Sequence, residues 1–410
     1  MDIARFAGSP NGHLVPLRGT DGRTGREYDH MAFVADPLGE EPPLSPATWH
    51  TVTGANRALA RLDQASRQVP KPDLLRMPTL RREAQSTSAL EGTFAPLDQV
   101  LAADRSGTEA LPKEVAEVLN YVDAANDAFD TLLAHGRVTV GLLEGTHATL
   151  VRGTSAETGD AGRIRQTPVA IGSANGTIED ARFVPMPPGI ALEAAVRDLL
   201  DWLHSGAAQR DPLVAAAISH YQFETLHPFN DGNGRIGRLV IVLTFMADGL
   251  LSQPLLSVSP WFEARRSEYQ DRLAAVSATG DWDGWIQFFA TGIRESADDT
   301  LQRVNRLLSV QHGYVSRVQA ASYKGLVRDI AETLIGEPVV TVPRLIKAFG
   351  KSSPSTNQAV MKLVDLGILD GPYGSYNRTF VAGDVFRAIS APMGAVPSPD
   401  EPLGPARLSA

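Results

Sequence analysis

The 410-residue chain contains no cysteine, which excludes disulfide bonds and thiolate metal sites. No apolar run approaches the length of a membrane span, and the first residues, MDIARFAGSPNGHL, lack the apolar segment of a secretory signal. We therefore expect a soluble cytoplasmic protein. The formal net charge of -9 argues against nonspecific nucleic-acid binding by the whole molecule, although it leaves a local basic face open.

Helical periodicity dominates the chain after its first segment. Residues 1–45 are rich in Gly, Pro and charge, and they predict an extended segment laid over the surface. At 43% hydrophobic residues, a chain of this length can bury a large core and form two or three domains, mostly of α structure. The predicted helices cover about 46–66, 73–91, 112–135, 139–152, 189–205, 212–226, 234–249, 260–278 and 282–312.

The most informative stretch is HPFNDGNGRIGR, from His227 to Arg238. Apolar residues recur at helical spacing before it and after it, so the stretch predicts a loop between two helices. The glycines of the loop allow a sharp turn and a close backbone approach to a ligand. The second helix then begins with its free N–H groups aimed into the loop, which predicts an anion site.

Each polar residue of this loop suits one part of a nucleotide chemistry. His227 is the candidate base, because its ordinary pKa lets it accept a proton near neutral pH. Asp231 suits Mg²⁺ or Mn²⁺, which a single carboxylate and phosphate oxygens commonly hold. Arg235 and Arg238 lie three residues apart, on one helical face beside the apolar stripe, and both can clamp phosphates.

A plainer interpretation is that this loop is only a turn between two core helices. His227 would then be a helix-end histidine with its hydrogen bonds satisfied, and both arginines would be solvated. The order of all the elements favours the functional interpretation, because the stretch resembles the signature of the Fic family, HPFx[DN]GN[GK]RxxR, at every specified position. The resemblance implies an enzyme that transfers AMP from ATP to a hydroxyl side chain of a protein, or in some relatives another phosphate-containing group.

A second motif, from Thr87 to Gly92, precedes this core. The sequence predicts a helix that Gly92 ends, which places the carboxylate of Glu91 at the helix C-terminus. That position opposes the helix dipole, so the carboxylate either has a cation partner or is a tolerated surface group. Thr87 and Glu91 resemble the inhibitory motif [ST]xxxE[GN] of Fic proteins with an N-terminal inhibitory helix, and the resemblance implies that Glu91 pairs with Arg238.

Residues from about 163 to 187 predict a small β-hairpin. Alternating residues run through Thr167 to Ile171, a turn is predicted at Asn175-Gly176, and alternation resumes from Ala181 to Pro185. The hairpin either caps the helical core or, as the resemblance implies, is the flap that positions the target by main-chain pairing. Ala170 and Ser173 depart from the family pattern of an aromatic residue and a second glycine.

Two further residues are candidates for binding adenine. Ile171 can wall the base from the hairpin, and Tyr269 is a weaker candidate from the helix that follows the loop. Each has the alternative role of an ordinary packing residue. Asn233 is available as a side-chain donor to phosphate, and Gly232 and Gly234 shape the cradle.

The C-terminal part resembles a winged helix-turn-helix over about 322–390, with its wing near Gly371 to Phe380. It could contact DNA or protein, and its basic residues, Lys351, Lys362 and Arg378, are few. The Pro-rich residues 391–410 predict disorder.

The sequence thus predicts a mostly α protein with a Fic-fold helical core, a small β-hairpin flap and a C-terminal winged helix-turn-helix. The predicted parts are an N-terminal region (1–110) that contains the inhibitory helix, a catalytic core (111–312), the winged unit and the tail. We expect the protein to adenylylate Ser, Thr or Tyr side chains of a target protein with ATP as co-substrate, and we expect Glu91 to inhibit this activity. The sequence leaves open whether the protein forms a homodimer. The alternatives are a nucleotide-sensing DNA-binding regulator and an enzyme that removes AMP.

Overall fold

The computed structural model describes residues 1–20, 25–69, 71–103, 111–173, 177–205, 209–374 and 378–395. These residues form a mostly helical protein with a few short antiparallel strands. The helices are α1 (Ile3–Phe6), α2 (Pro46–Arg67), α3 (Asp73–Leu90), α4 (Leu97–Ala102), α5 (Lys113–His135), α6 (Val140–Val151), α7 (Ile190–His204), α8 (Pro212–Leu226), α9 (Asn233–Ala247), α10 (Ser259–Ala264), α11 (Arg266–Thr279), α12 (Trp282–Ala320), α13 (Leu326–Thr333), α14 (Val342–Phe349), α15 (Ser353–Asp365) and α16 (Gly383–Ser390). The strands are β1 (Gly12–Thr20), β2 (Glu27–Ala35), β3 (Val339–Thr341), β4 (Asp370–Tyr373) and β5 (Thr379–Val381).

The predicted helices are present, with two differences. The stretch predicted as one helix over about 260–278 is interrupted at Arg265, which separates α10 from α11. The helix predicted to end near 312 continues to Ala320. The chain divides into two compact units, and α2, α5 and α12 contribute residues to both. The domain boundaries near 110 and 312 stay predictions.

The first unit comprises Met1–Ala60, Asn120–Pro254 and Trp261–Glu295. Its central helix, α8, is buried from Leu213 to Leu226 except for Glu224. An Asp211 carboxylate caps the first turn by accepting from two backbone N–H groups, and Pro212 begins the helix at a position where no N–H donor is needed. A helix buried on all sides holds its last residues in a fixed place, which matters for the motif that follows it.

The N-terminal segment contains a β-hairpin that the sequence did not predict. β1 and β2 pair in antiparallel register over their whole length, from Gly12 opposite Ala35 to Thr20 opposite Glu27. The prediction of an extended surface segment for residues 1–45 is therefore wrong for this part. The strands are half exposed, and Pro16 and Arg18 interrupt their hydrophobic pattern, so alternation in the sequence was weak.

The predicted flap contains one antiparallel bridge, between Ile171 and Phe183, rather than a regular ladder. The two residues exchange hydrogen bonds, from Ile171 N–H to the Phe183 carbonyl at 2.9 Å and back at 3.2 Å. Pro168 and Pro185 cannot donate to a ladder, which limits the pairing. The predicted turn at Asn175-Gly176 lies outside the described residues.

The second unit comprises Arg61–Leu119, Leu255–Pro260 and Ser296–Ala410. Its apolar core joins α12, α13, α15 and α16, with Val318, Ile330, Leu363 and Val385 nearly or fully buried. The Glu83 carboxylate of α3 accepts from the Ser257 hydroxyl at 2.8 Å and the Ser259 N–H at 3.0 Å, which fixes residues 255–260 against this helix.

The C-terminal elements follow the order α13, β3, α14, α15, β4, β5, α16, and the strands form an antiparallel sheet in the order β3-β5-β4. Helices α14 and α15 are joined by a turn at Gly350, which has a left-handed backbone. The winged helix-turn-helix and its contact with DNA or protein stay predictions, because residues 375–377 of the wing lie outside the described part. The same holds for most of the predicted disordered tail, residues 396–410. No helix among the described residues is long and apolar enough to cross a membrane.

Candidate active site

The backbone turns sharply at His227, immediately after α8. This residue is left-handed, with φ 51° and ψ 62°, a conformation that non-glycine residues rarely adopt. Its N–H donates to the Phe223 carbonyl at 2.9 Å, and its Nδ1 lies 3.3 Å from the Glu224 carbonyl. Because a carbonyl can only accept, this contact favours the tautomer with the proton on Nδ1 and the lone pair on Nε2.

The guanidinium of Arg165 is fully buried and donates hydrogen bonds to the backbone of this turn. Its Nε donates to the His227 carbonyl at 2.8 Å, and one terminal nitrogen donates to the Leu226 carbonyl at 3.3 Å. Its other contacts reach both ends of the flap, the Thr167 carbonyl at 3.1 Å and the Met186 carbonyl at 2.7 Å. Burial lowers the pKa of Arg165 to about 10, so the group stays charged at neutral pH and complements the negative end of the α8 dipole.

The loop after His227 is closed by the side chain of Asn233. Its Oδ1 accepts from the Phe229 N–H at 2.8 Å, and its Nδ2 donates to the Phe229 carbonyl at 2.7 Å. Nδ2 carries a second N–H, so the expected donation of this side chain to phosphate stays a prediction, as does that of the backbone N–H at the start of α9.

Phe229 anchors the loop to the core. It is 1% exposed, and its ring stacks on His147 of α6 with centroids 4.3 Å apart. The His147 Nδ1 accepts from the Gly162 N–H at 2.9 Å. Burial lowers the pKa of His147 to about 4; the nearby Asp231 opposes this shift and Arg235 adds to it, so the imidazole is neutral.

The N-terminus of α9 faces the loop. Gly232 precedes the helix with φ 76°, and a Cβ built there would lie 2.7 Å from Leu150 Cδ2. A glycine is therefore required by conformation and by space. The first N–H groups of α9 have no carbonyl partner within the helix, which makes this end suited to an anion.

Both motif arginines are buried rather than solvated. Arg235 is 3% exposed and Arg238 is 2% exposed. A terminal nitrogen of Arg235 lies 2.6 Å from Oδ1 of Asp231, whose side chain is about half exposed. The interpretation of this stretch as a plain turn with solvated arginines is therefore wrong for the arginines. Two cations at a helix N-terminus concentrate positive charge where phosphate would bind.

The two adenine candidates have different surroundings. Ile171 is half buried and lies at the flap bridge. Tyr269 is 5% exposed, and its hydroxyl lies 2.7 Å from Nε2 of the buried His220. The Nδ1 of His220 donates to the Gly237 carbonyl, so the Tyr269 hydroxyl is the donor to Nε2. Burial, and after it the charge of Arg238, lowers the pKa of His220 to about 3. Adenine contact by Ile171 and Tyr269 stays a prediction.

The second motif ends α3 as the sequence predicts. Glu91 is the C-cap, and Gly92 follows with φ 96°. The Gly92 N–H donates to the Ala89 carbonyl at 3.1 Å and the Thr93 N–H to the Ser88 carbonyl at 2.9 Å, which is a Schellman motif. Thr87 is fully buried and Glu91 is exposed. Both belong to the second unit, whereas His227 to Arg238 belong to the first, and the pairing of Glu91 with Arg238 stays a prediction.

Sequence reasoning missed two residues that shape this site, Arg165 and His147. Arg165 follows Gly162 closely in a polar segment, and its carbonyl partners come from three separate stretches of chain. His147 lies on α6, and the sequence of this helix does not show which aromatic ring the imidazole will contact. No local pattern could have identified either residue, because both act through long-range contacts.

Comparisons with known proteins agree with this arrangement. Residues 49–130 match the family described as Fic/DOC family N-terminal, and residues 137–245 match the Fic/DOC family. The chain is 32% identical over 210 residues to protein adenylyltransferase fic-1 of Caenorhabditis elegans, which covers 50% of this chain and 38% of that protein. It is 30% identical over 96 residues to a probable protein adenylyltransferase of Aquifex aeolicus, which covers 23% of this chain and 29% of that protein.

The matched part is thus well under half the length of either curated relative. Among solved structures, a Fic family protein from Desulfovibrio desulfuricans G20 shares the fold, with a TM-score of 0.54 at 23% identity, over 84% of this chain and 98% of that one. The two family matches, taken with the motif geometry and this shared fold, show that the chain belongs to the Fic/DOC family.

Proposed function

We propose that this protein transfers AMP from ATP to a Ser, Thr or Tyr hydroxyl of a protein target. The observation that carries the proposal is the joint between α8 and α9, where a left-handed histidine faces a helix N-terminus that carries two buried arginines. The relatives named protein adenylyltransferase support the same reaction class.

In the proposed reaction the target hydroxyl oxygen attacks the α-phosphorus of ATP. An oxygen–phosphorus bond forms to the target, the bond from the α-phosphorus to the bridging oxygen breaks, and pyrophosphate leaves. His227 accepts the hydroxyl proton at Nε2, because the Nδ1 proton is directed to the Glu224 carbonyl. The Arg165 hydrogen bond to the His227 carbonyl keeps the imidazole in place during this transfer.

The phosphates are held by the α9 N-terminus with Arg235 and Arg238. These donors are fixed before the substrate binds, so they stabilise the developing pyrophosphate charge without reorganisation. Asp231 fits a divalent ion, since carboxylate oxygens are the ligands such ions prefer and this carboxylate is half exposed beside this end of α9. Asp231 would hold Mg²⁺ or Mn²⁺ there, and the ion would supply positive charge that neutralises part of the phosphate charge.

The proposal includes a brake at Glu91. A carboxylate at the C-cap of α3 opposes the helix dipole, so it gains stability from a cation. In the proposed resting state Glu91 keeps Arg238 from the terminal phosphate, and Thr87 fixes the end of α3. ATP then binds weakly or with its α-phosphorus out of line.

The test is a labelling experiment with α-labelled and γ-labelled ATP in parallel, on the wild type and on Glu91→Gly. AMP transfer leaves the α label on protein and releases the γ label, whereas phosphoryl transfer does the reverse. His227→Ala should lower transfer about 10²- to 10⁴-fold while ATP binding remains. His312→Ala, at an exposed histidine of the second unit, is the control. Retention of only the γ label, or full transfer by His227→Ala, contradicts the proposal.

A further inference from the structure

The N-terminal hairpin is continuous with the flap. The Phe33 N–H of β2 donates to the Val184 carbonyl at 2.8 Å, and Phe33 forms a parallel bridge with Pro185. The other edge of the same flap segment carries the bridge from Phe183 to Ile171. The returning flap segment is therefore an inner strand between residue 171 on one side and β2 on the other.

Side chains join the two parts on both faces of this small sheet. On one face the rings of Phe6, Phe33 and Phe183 form a triangle with centroids 5.6–5.9 Å apart. Phe33 is fully buried and Phe6 is 2% exposed. On the other face, a buried cluster draws members from both β-hairpin strands and from the flap. Its members are Leu17, Ala32, Ile178, Ala181 and Val184.

Among the described residues, the pairing of the flap with itself is a single bridge, and a two-stranded hairpin is at best marginally stable in water. Arg182 of the flap also contacts Gln270 and Asp271 of α11, but this ion pair is exposed on both sides and so contributes little. Arg165 fixes the two ends of the flap at Thr167 and Met186, but these contacts lie outside the bridged part. The buried contacts of the middle of the flap are the hydrogen bond to β2, the ring triangle and the apolar cluster of the other face.

We propose that α1, β1 and β2 are the structural support that sets the position of the flap, with Phe33 as the positioning residue. These residues precede position 49, where the match to the Fic/DOC family begins. The inference rests on the proposed function in one respect: an extended acceptor segment pairs with the flap edge that Ile171 occupies. A flap fixed by β2 presents that edge to the acceptor at a constant distance from His227.

The first arm of the test measures backbone hydrogen exchange in the full chain. Phe33→Ala removes two of the three ring contacts, so the amides of Ile171 and Phe183 should exchange at least roughly tenfold faster, while those of α8 stay protected. Phe33→Leu should restore part of the protection. Phe6→Ala, which removes a ring of α1 and leaves the residues of the strands unchanged, provides a milder second variant. Phe94→Ala, at a 68% exposed ring of the second unit, is the matched control.

The second arm measures transfer from α-labelled ATP to synthetic extended peptides that each carry one Ser, Thr or Tyr, in a Glu91→Gly background. Phe33→Ala should raise KM for the peptides roughly tenfold while the Kd of ATP changes by less than about twofold.

Exchange at Ile171 and Phe183 that is unchanged in both Phe33→Ala and Phe6→Ala overturns the support. Faster exchange with an unchanged KM overturns its role in acceptor positioning. If the protein without the Phe33 change transfers no label, the proposed function fails, and the exchange experiment still decides whether β2 supports the flap.

Discussion

At the residue scale, Arg165 is a buried cation whose hydrogen-bond partners are all backbone carbonyls. The arrangement is stable because the α8 C-terminus has carbonyls without helical partners and carries negative partial charge. The same guanidinium reaches both ends of the flap, so one side chain fixes the base-bearing turn and the flap together. If Arg165 were paired with a carboxylate instead, its charge would be neutralised, but its donors would no longer connect the α8 C-terminus to the flap.

Arg165→Met should therefore be strongly destabilising. Each buried carbonyl left without a donor costs about 1–3 kcal/mol, so we expect the free energy of unfolding to fall by about 3–5 kcal/mol. Arg165→Lys keeps the charge but has fewer donors in a different geometry and should recover only part of this loss. Urea unfolding measures both variants. Arg163→Met, at an exposed arginine of the same segment, is the control, and an equal loss there would contradict the assignment.

His147 should make the protein less stable in mild acid. Its folded pKa of about 4 lies below its ordinary 6.5, so between these values the unfolded chain binds a proton that the folded chain does not. Stability therefore falls as pH decreases from about 6.5 to about 4, with a contribution of about 1 kcal/mol per pH unit. His147→Phe keeps a ring against Phe229 without a titrating group.

Urea unfolding of wild type and His147→Phe at several pH values measures this contribution. The stability of the wild type minus that of His147→Phe should decrease as the pH falls through the window, because only the wild type loses this contribution. His312→Phe removes an exposed histidine and should follow the wild type. A constant difference between His147→Phe and wild type from pH 7 to pH 4 would show that His147 does not titrate in this way.

At the scale of elements, the start of α9 combines an anion site with a sharp change of chain direction. Gly232→Ala forces a left-handed alanine, which costs about 1–2 kcal/mol, and places a methyl group against the buried Leu150. We expect a further loss of about 1–3 kcal/mol from that overlap, and weaker ATP binding because the α9 N–H groups shift.

Gly249→Ala is a matched comparison for this change. Gly249 has a similar φ of 73°, and a Cβ there would meet nothing within 4 Å. It should show the conformational cost alone and leave ATP affinity unchanged. Unfolding free energies and ATP titrations of both variants check the prediction, and equal losses in both would mean that the contact with Leu150 is relieved at no cost.

The sequence was most informative where local signals and burial agree. The apolar spacing of α8 and α9, and the glycine that ends α3, predicted these elements correctly because each signal lies within the element itself. The pairing of β1 with β2 could not be predicted in this way, because its buried faces are completed by Phe6 and Phe183 from other parts of the chain. The side-chain amide of Asn233 is a second example. The residue type alone does not show whether the amide binds a ligand or hydrogen-bonds to the backbone of its own loop.

At the scale of the whole molecule, the proposed chemistry and the proposed brake belong to different compact units. The motif from His227 to Arg238 lies in the first unit, as do Arg165 and His147, which shape it. The α3 C-cap with Glu91 lies in the second. Because the two motifs are far apart in the sequence and belong to separate units, a change at Glu91 should leave the geometry of the His227 motif intact.

That independence makes the brake testable by a double-mutant cycle. Glu91→Gly removes the carboxylate without adding bulk, and it should raise transfer of the α label to the protein itself or to an added acceptor at least roughly tenfold. Arg238→Ala should be nearly silent alone, because it removes a cation that stabilises the leaving pyrophosphate. In the double variant the gain should disappear, so the two effects are non-additive, as expected for residues that act on one interaction. Glu114→Gln, at an exposed glutamate of the second unit, controls for the loss of a negative charge. If Glu91→Gly gives no more transfer than wild type in the presence of acceptor, or if the gain persists in the double variant, Glu91 does not restrain the site through Arg238.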